Sequence, residues 1–210
     1  FIMINEGTTK FNREELGKSI EVENAAPHIE EVLEIAQEAS IDPKNADQKT
    51  TRKGFLVYPL SKERYEKRAN ENDFFVTFSE QGQVKGFLMC YDREFLQKLI
   101  DDGEIGHEDG IIGYLTSHTD DEDNFLYGDQ IGISSDNRTR EAGTILMEKV
   151  FAKMRERNMR NMYVAILHGP IRNEASINFV GRLSFNNVAE VTNSDGLVWG
   201  IYHADISKEE

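Results

Sequence analysis

Ile131-Gly-Ile-Ser-Ser-Asp-Asn-Arg-Thr-Arg-Glu-Ala-Gly-Thr144, continued by Ile145-Leu-Met-Glu-Lys-Val-Phe151, is the stretch on which the fold turns. It reads as the end of a β-strand, a polar turn, and a helix whose first turn is presented outward. A helix start carries N–H groups with no partner inside the helix, together with a partial positive charge. It therefore suits an anion such as a pyrophosphate, and the N–H groups from Thr139 to Thr144 can ring one. Arg138 and Arg140 add charge of the right sign. In the helix itself Gly143, Leu146, Met147, Val150, Phe151 and Met154 form one stripe, and Lys153, Arg155 and Arg157 gather where the dipole favours cations.

Outward from this stretch, Phe125-Leu-Tyr-Gly-Asp-Gln-Ile-Gly-Ile133 is the strand that feeds the turn. Met162-Tyr-Val-Ala-Ile-Leu167 is a near-continuous apolar run, as expected of a central strand covered on both faces. Asn173 to Leu183 is a helix. Val188 to Val191 and Gly196 to Tyr202 close the chain as strands around the turn Asn193-Ser-Asp-Gly196. Upstream, Ser19 to Glu23 alternates as a strand, and Pro27 opens a helix carrying Ile29, Val32, Leu33 and Ala36. Residues 40 to 52 read as a loop, and Ser61 caps a helix to about Ala69. Phe74 to Phe78 and Val84 to Tyr91 form a hairpin. A short helix with Phe95, Leu96, Leu99 and Ile100 begins an acidic, Gly-containing stretch at about 93–124.

Composition sets the class. Of 210 residues 39% are hydrophobic, enough for one well-cored domain. Neither a leader nor an apolar run long enough to span a bilayer is evident, so no membrane is expected. The one cysteine, Cys90, sits in an apolar strand, reads as a buried small side chain, and indicates a reducing, cytoplasmic setting. Acidic residues outnumber basic ones 38 to 24, a net charge of −14. Such a field disfavours nucleic acid and favours a cationic acceptor such as an amine, or else serves only solubility. Asp101, Asp102, Glu104, His107, Glu108 and Asp109 lack the ligand order of a calcium loop, so no metal is expected. The usual nucleotide loops, Gly-x-x-x-x-Gly-Lys-Ser/Thr and Gly-x-Gly-x-x-Gly, are absent.

Two segments resemble the motifs of the GNAT acetyltransferases. That family carries Gln/Arg-x-x-Gly-x-Gly/Ala before an amphipathic helix. Here Arg138 takes the first place, Glu141 stands where the middle Gly belongs, and Gly143 matches the last. Asn173-Glu-Ala-Ser-Ile-Asn-Phe-Val-Gly-Arg-Leu-Ser-Phe185 is similar to the family's second element, with Ser184 in a Gly place. The match covers roughly residues 126 to 186. It implies an α/β GNAT fold with a mostly antiparallel sheet splayed between strands 4 and 5. It also implies one domain, longer by the 93–124 stretch than a bare core, acting as monomer or homodimer.

The same resemblance implies acetyl-CoA as cosubstrate and an amine of a small molecule or peptide as acceptor. It assigns Ile131, Gly132 and Ile133 to the pantetheine arm, with an N–H near Ile133 for the thioester oxygen. Gly132 would permit close approach, or else mark a bulge. Arg138, Thr139, Arg140, Glu141, Ala142, Gly143 and Thr144 fall to the pyrophosphate, and Asn173, Ser176 and Phe179 to the arm. Phe55, Tyr58 and Tyr65 could line the acceptor pocket. The family's Tyr acid is replaced by Val180, with Tyr127, Tyr163 or Tyr202 as possible substitutes. Its Glu base falls at Tyr127. Asp129, on the same face, can draw the amine proton through water, and His168 and His203 have suitable proton affinity. A cofactor-binding but catalytically silent module, and an unrelated phosphate-binding α/β domain, are the competing readings.

Overall fold

A seven-stranded sheet runs through the computed structural model, which describes residues 22–47, 54–106, 109–118, 124–135 and 140–208. Its strands are β1 (Val22–Asn24), β2 (Asp73–Phe78), β3 (Val84–Asp92), β4 (Phe125–Ile133), β5 (Asn161–Gly169), β6 (Asn186–Thr192) and β7 (Val198–Asp205). Their spatial order is β1-β2-β3-β4-β5-β7-β6. Neighbours are antiparallel except β4 and β5, which run parallel. This is the mixed, mostly antiparallel α/β architecture expected from the chain.

Two apolar layers clothe the sheet. On one face α1 (Ile29–Ala39), α2 (Lys62–Glu71), α3 (Arg93–Asp101) and α4 (Gly110–His118) bury Val32, Tyr65, Leu99 and Leu115 against Phe74, Phe87 and Tyr127. On the other, α5 (Arg140–Glu156) and α6 (Glu174–Arg182) bury Leu146, Val150 and Val180 against Phe75, Leu88 and Leu126. Period-two alternation sorts β5 between them. Tyr163, Ala165 and Leu167 pack on the first face, and Met162, Val164 and Ile166 on the second. That is why its run of apolar residues is almost unbroken. Cys90 is fully buried in the second layer.

Local chemistry ends the elements where it should. The Ser61 hydroxyl accepts from Arg64 N at 3.4 Å at the head of α2, and the Asp92 carboxylate accepts from Phe95 N at 2.9 Å at the head of α3. At the end of α6, Ser184 stands at φ +64, with Phe185 N bonded to Val180 O at 3.1 Å and Ser184 N to Gly181 O at 3.3 Å. This is a Schellman closure, in which a left-handed residue turns the chain off the helix. Serine therefore adopts the conformation that glycine favours at this place.

The acidic stretch departs from its expected form. It contains a second helix, α4, whose first N–H groups are met by Asp109: Ile111 N and Ile112 N reach its Oδ1 at 2.9 and 3.1 Å. Asn193 of the β6–β7 turn bonds both Gly110 N and the Asp109 carboxylate, tying α4 to the end of the sheet. Two glycines and only three buried apolar residues in nine hide this helix from a periodicity reading. His107, Glu108 and all of Asp120–Asp123 lie outside the described residues.

Candidate active site

The feature that makes a site is a fork between two strands. β4 and β5 pair only from Phe125↔Asn161 to Gly128↔Val164. Beyond Gly128, β4 continues along β3 as far as Gly86↔Ile133, while β5 continues along β7 as far as Gly169↔Val198. The cause sits at the apex. Cys90 lies opposite Gly128 and Met89 opposite Gln130, so Asp129 is an extra residue in β4. A β-bulge bends its strand and increases its twist, which carries β4 away from its parallel neighbour. The bulge thus lies three residues before Gly132, the position at which the sequence suggested one.

The bulge also resets which way side chains point. Tyr127 packs on the α1–α4 face, but so does Gln130, which accepts from the Tyr65 hydroxyl at 2.7 Å, while Ile131 and Ile133 turn to the α5 face. Ser134 N bonds Lys85 O at 2.9 Å, so Gln130 and Gly132 also turn their backbone groups toward β3. Ile131 and Ile133 accordingly aim their N–H and C=O groups across the fork. Gly132 is explained by packing: a Cβ there would stand 2.3 Å from the Phe87 ring.

The first turn of α5 stands over this opening. A Cβ on Gly143 would lie 3.1 Å from Phe179 of α6 and 3.7 Å from Ile131 of β4, so three elements converge on one point. Ala142 and Gly143 are buried, Thr144 is partly so, and the Glu141 side chain points to solvent. A carboxylate replacing the family glycine therefore does not block the opening. Arg138 and Thr139, and the side chain of Arg140, lie outside what the structure describes. The described apolar residues of the 93–124 stretch, from Phe95 to Leu115, pack on the opposite sheet face.

Asn173 is already engaged. It caps α6, its Oδ1 accepting from Ser176 N at 3.2 Å, while its Nδ2 donates to Phe55 O at 3.0 Å. Its own N–H closes on Leu167 O at 2.9 Å, at the far wall of the fork. Residues 54–58 thus form a strap: Gln130 Nε2 donates to Tyr58 O at 2.8 Å, and Leu56, between Phe55 and Tyr58, bridges to the end of α1 through Ala39 O and Ile41 N. Beside the strap opens a cleft of about 600 Å³, lined by Ile41, Asp42, Lys44, Tyr58, Asp195 and Leu197. The Tyr58 hydroxyl donates to Asp195, and its ring faces Trp199 at 6.0 Å. Phe55 and Tyr65 are buried, whereas Tyr58 is 48% exposed and reaches the cleft.

Asp129 occupies the apex of the fork on the α1–α4 side. Its Oδ2 accepts from the Tyr91 hydroxyl at 3.1 Å, and Tyr127 also donates to the carboxylate. Burial pushes the Asp129 carboxyl up to about 6, against the opposing pull of the Tyr91 hydrogen bond and the Arg68 charge. Burial likewise drives the Tyr91 and Tyr127 hydroxyls well above their ordinary range, with the Asp129 charge adding to it. A carboxyl that titrates close to neutrality suits a proton acceptor at physiological pH.

The other candidate acids and bases lie elsewhere. His168 is held between Glu190 at 2.9 Å and the Tyr202 hydroxyl at 3.0 Å, and His203 bonds Asn161 at 2.9 Å. Tyr163 stacks on His203 at 4.7 Å. Val180 is buried in the second apolar layer. Sequence reading passed over Gln130, Tyr91 and Arg68, which together support the strap and the carboxylate. One signal for Arg68 existed: it shares the buried stripe of α2 with Tyr65 and Ala69, where a charge calls for a partner.

The comparisons with known proteins agree with this geometry. No curated protein matches the chain in sequence. Among solved structures, the ribosomal-protein-S18-alanine N-acetyltransferase of Escherichia coli is similar at 13% identity and a TM-score of 0.57, over 91% of this chain and 97% of that one. The polyamine N-acetyltransferase of Drosophila melanogaster is similar at 15% identity and a TM-score of 0.57, over 89% of this chain and all 100% of the other. A Salmonella typhimurium protein solved with its cofactor acetyl-CoA is similar at 13% identity and a TM-score of 0.58, over 92% and 97% of the two chains. At such identities the likeness is one of fold. The model of the Acetyltransferase (GNAT) family matches residues 30–185, which hold the fork, the helix start above it and the capped α6, and the chain belongs to that family.

Proposed function

We propose that the chain is an acetyl-CoA-dependent N-acetyltransferase, acting as one domain, that moves an acetyl group to a primary amine of a small molecule or peptide. The observation that carries the reading is the open edge of β4: Ile131 and Ile133 direct backbone groups into a fork that the first turn of α5 overlooks. An amide-rich pantetheine arm fits such an edge as an added strand would. The diphosphate fits a helix start, where the N–H groups of residues 140–142 have no helical partner. Acetyl-CoA supplies an activated acyl carbon when bound. Asn173, with both amide groups engaged, acts by holding the strap and the head of α6 in place.

The acceptor approaches from the α1–α4 side, past Tyr58 and the cleft. Its nitrogen must be neutral to attack. Asp129 takes the proton, directly or through water, as the N–C bond forms and the C–S bond breaks. The departing thiolate takes its proton from solvent, since Val180 offers none and a thiolate leaves without help. The net charge of −14 draws a cationic acceptor toward the cleft. Buried Val180 also favours a second reading, a silent acyl-CoA-binding module.

Calorimetry with acetyl-CoA, paired with thiol release over a panel of mono-, di- and polyamines and amino-terminal peptides, separates the two. Binding with turnover on at least one amine is expected. Binding without turnover would establish the silent module, and no binding would remove both readings.

A further inference from the structure

Behind Asp129 runs a line of hydrogen bonds that reaches the surface on the α3–α4 connection. Arg68, 3% exposed, donates through Nε to the Tyr91 hydroxyl at 2.8 Å and through Nη2 to Glu104 Oε2 at 3.0 Å. Glu104, its side chain 17% exposed, also accepts from Lys67 at 2.7 Å. A tyrosine hydroxyl has a single proton. With Arg68 donating to its oxygen, that proton goes to Asp129 Oδ2 at 3.1 Å, a stronger acceptor than the Met89 thioether sulfur at 3.5 Å. A hydroxyl polarised by a guanidinium is also the stronger donor. The line is therefore directional: guanidinium to hydroxyl to carboxylate, with a second carboxylate closing its outer end.

We propose that Tyr91 and Arg68 are positioning residues that fix the Asp129 carboxylate and set its proton affinity, and that Glu104 tunes both from the surface. This rests on Asp129 being the base of the acetyl transfer proposed above. Four elements surround that carboxylate. Tyr65 and Arg68 come from α2, Cys90 and Tyr91 from β3, Tyr127 from β4 itself, and Asp109 from the head of α4. Arg68 is the only cation among these six, so its state of compensation by Glu104 decides how strongly Asp129 is stabilised as an anion. Burial raises the Asp129 carboxyl, and the Tyr91 hydrogen bond followed by the Arg68 charge pulls it back. The stretch between α3 and α4 thereby reaches the site electrostatically, without touching a reacting atom.

Two substitutions move Asp129 in opposite directions. Tyr91→Phe removes the donor and raises its affinity for a proton. Glu104→Gln leaves the Arg68 charge less compensated and lowers it. The measurement is a carbon-13 NMR titration of aspartate carboxyls in the full chain without substrate, with the Asp129 signal identified by its loss in Asp129→Asn. Its midpoint is expected about one pH unit higher in Tyr91→Phe and roughly half a unit lower in Glu104→Gln.

Glu104→Gln is close in shape and tests the idea even if Tyr91→Phe folds poorly. Unmoved midpoints in folded variants, or shifts of the same sign, would overturn the proposal. A parallel pH profile of kcat/KM distinguishes the two readings: if the NMR midpoints move as expected but the profile does not, the relay stands and Asp129 is not the base.

Discussion

At the scale of the residue, Asp129 combines a structural and a chemical role. As the extra residue of a bulge it parts β4 from β5, and desolvation of its half-buried side chain pushes its carboxyl up to about 6. Because the folded value lies above the ordinary 3.8, the folded state holds the proton more tightly than the unfolded chain does. Stability contributed at this position is thus highest below about pH 4 and falls as pH rises through about 6, by at most about 3 kcal/mol. Asp129→Asn is expected to be more stable than the native chain at pH 8, with the gain shrinking toward pH 4.5; denaturant unfolding at both pH values checks this. The same variant should lose the rise of kcat/KM through about pH 6. A profile that keeps this limb would relieve Asp129 of the proton. The tandem of Tyr127 and Asp129 on one face was legible from the strand period, but the place of the bulge was not. Two strands must be laid side by side before one residue can be seen to be in excess.

At the scale of the element, α5 and α6 approach each other because Gly143 has no side chain. Its Cβ would lie 3.1 Å from the Phe179 ring, tighter than ordinary contact, so Gly143→Ala displaces either that ring or the first turn of α5 by a few tenths of an ångström. Acetyl-CoA affinity is expected to fall about tenfold, roughly 1.4 kcal/mol, with the far-ultraviolet circular dichroism unchanged. Native affinity by calorimetry would remove this helix start from the diphosphate site. Most element boundaries were legible. Ser61 caps its helix, the β2–β3 hairpin forms, and Asn173 begins α6. Helix α4 was not, because what holds it is remote: Asn193, 83 residues along the chain from Gly110, satisfies its first N–H.

At the scale of the whole molecule, the charge of −14 acts over a distance that salt controls. If the acceptor is cationic, its KM should rise about threefold or more between ~50 mM and ~500 mM salt while kcat holds. A salt-independent KM would mean that the acidity serves solubility alone. The molecule is also braced across its layers. Asp73, at the start of β2, accepts two hydrogen bonds from Arg157 at 2.5 and 3.0 Å, fastening the end of α5 to the sheet.

Local chemistry in the chain was enough to determine that a strand from Phe125 is followed by a helix reaching past Phe151, and that Asn173 opens a later helix. Those features follow from periodicity and capping, which act over a few residues and so are written in order along the sequence. Only the tertiary structure decided where β4 and β5 part, that Glu141 faces solvent, that Asn173 spends its amide on Phe55, and that Arg68 and Tyr91 stand behind Asp129. Each of these joins residues far apart in sequence, and a contact exists only once packing has brought both partners to the same place.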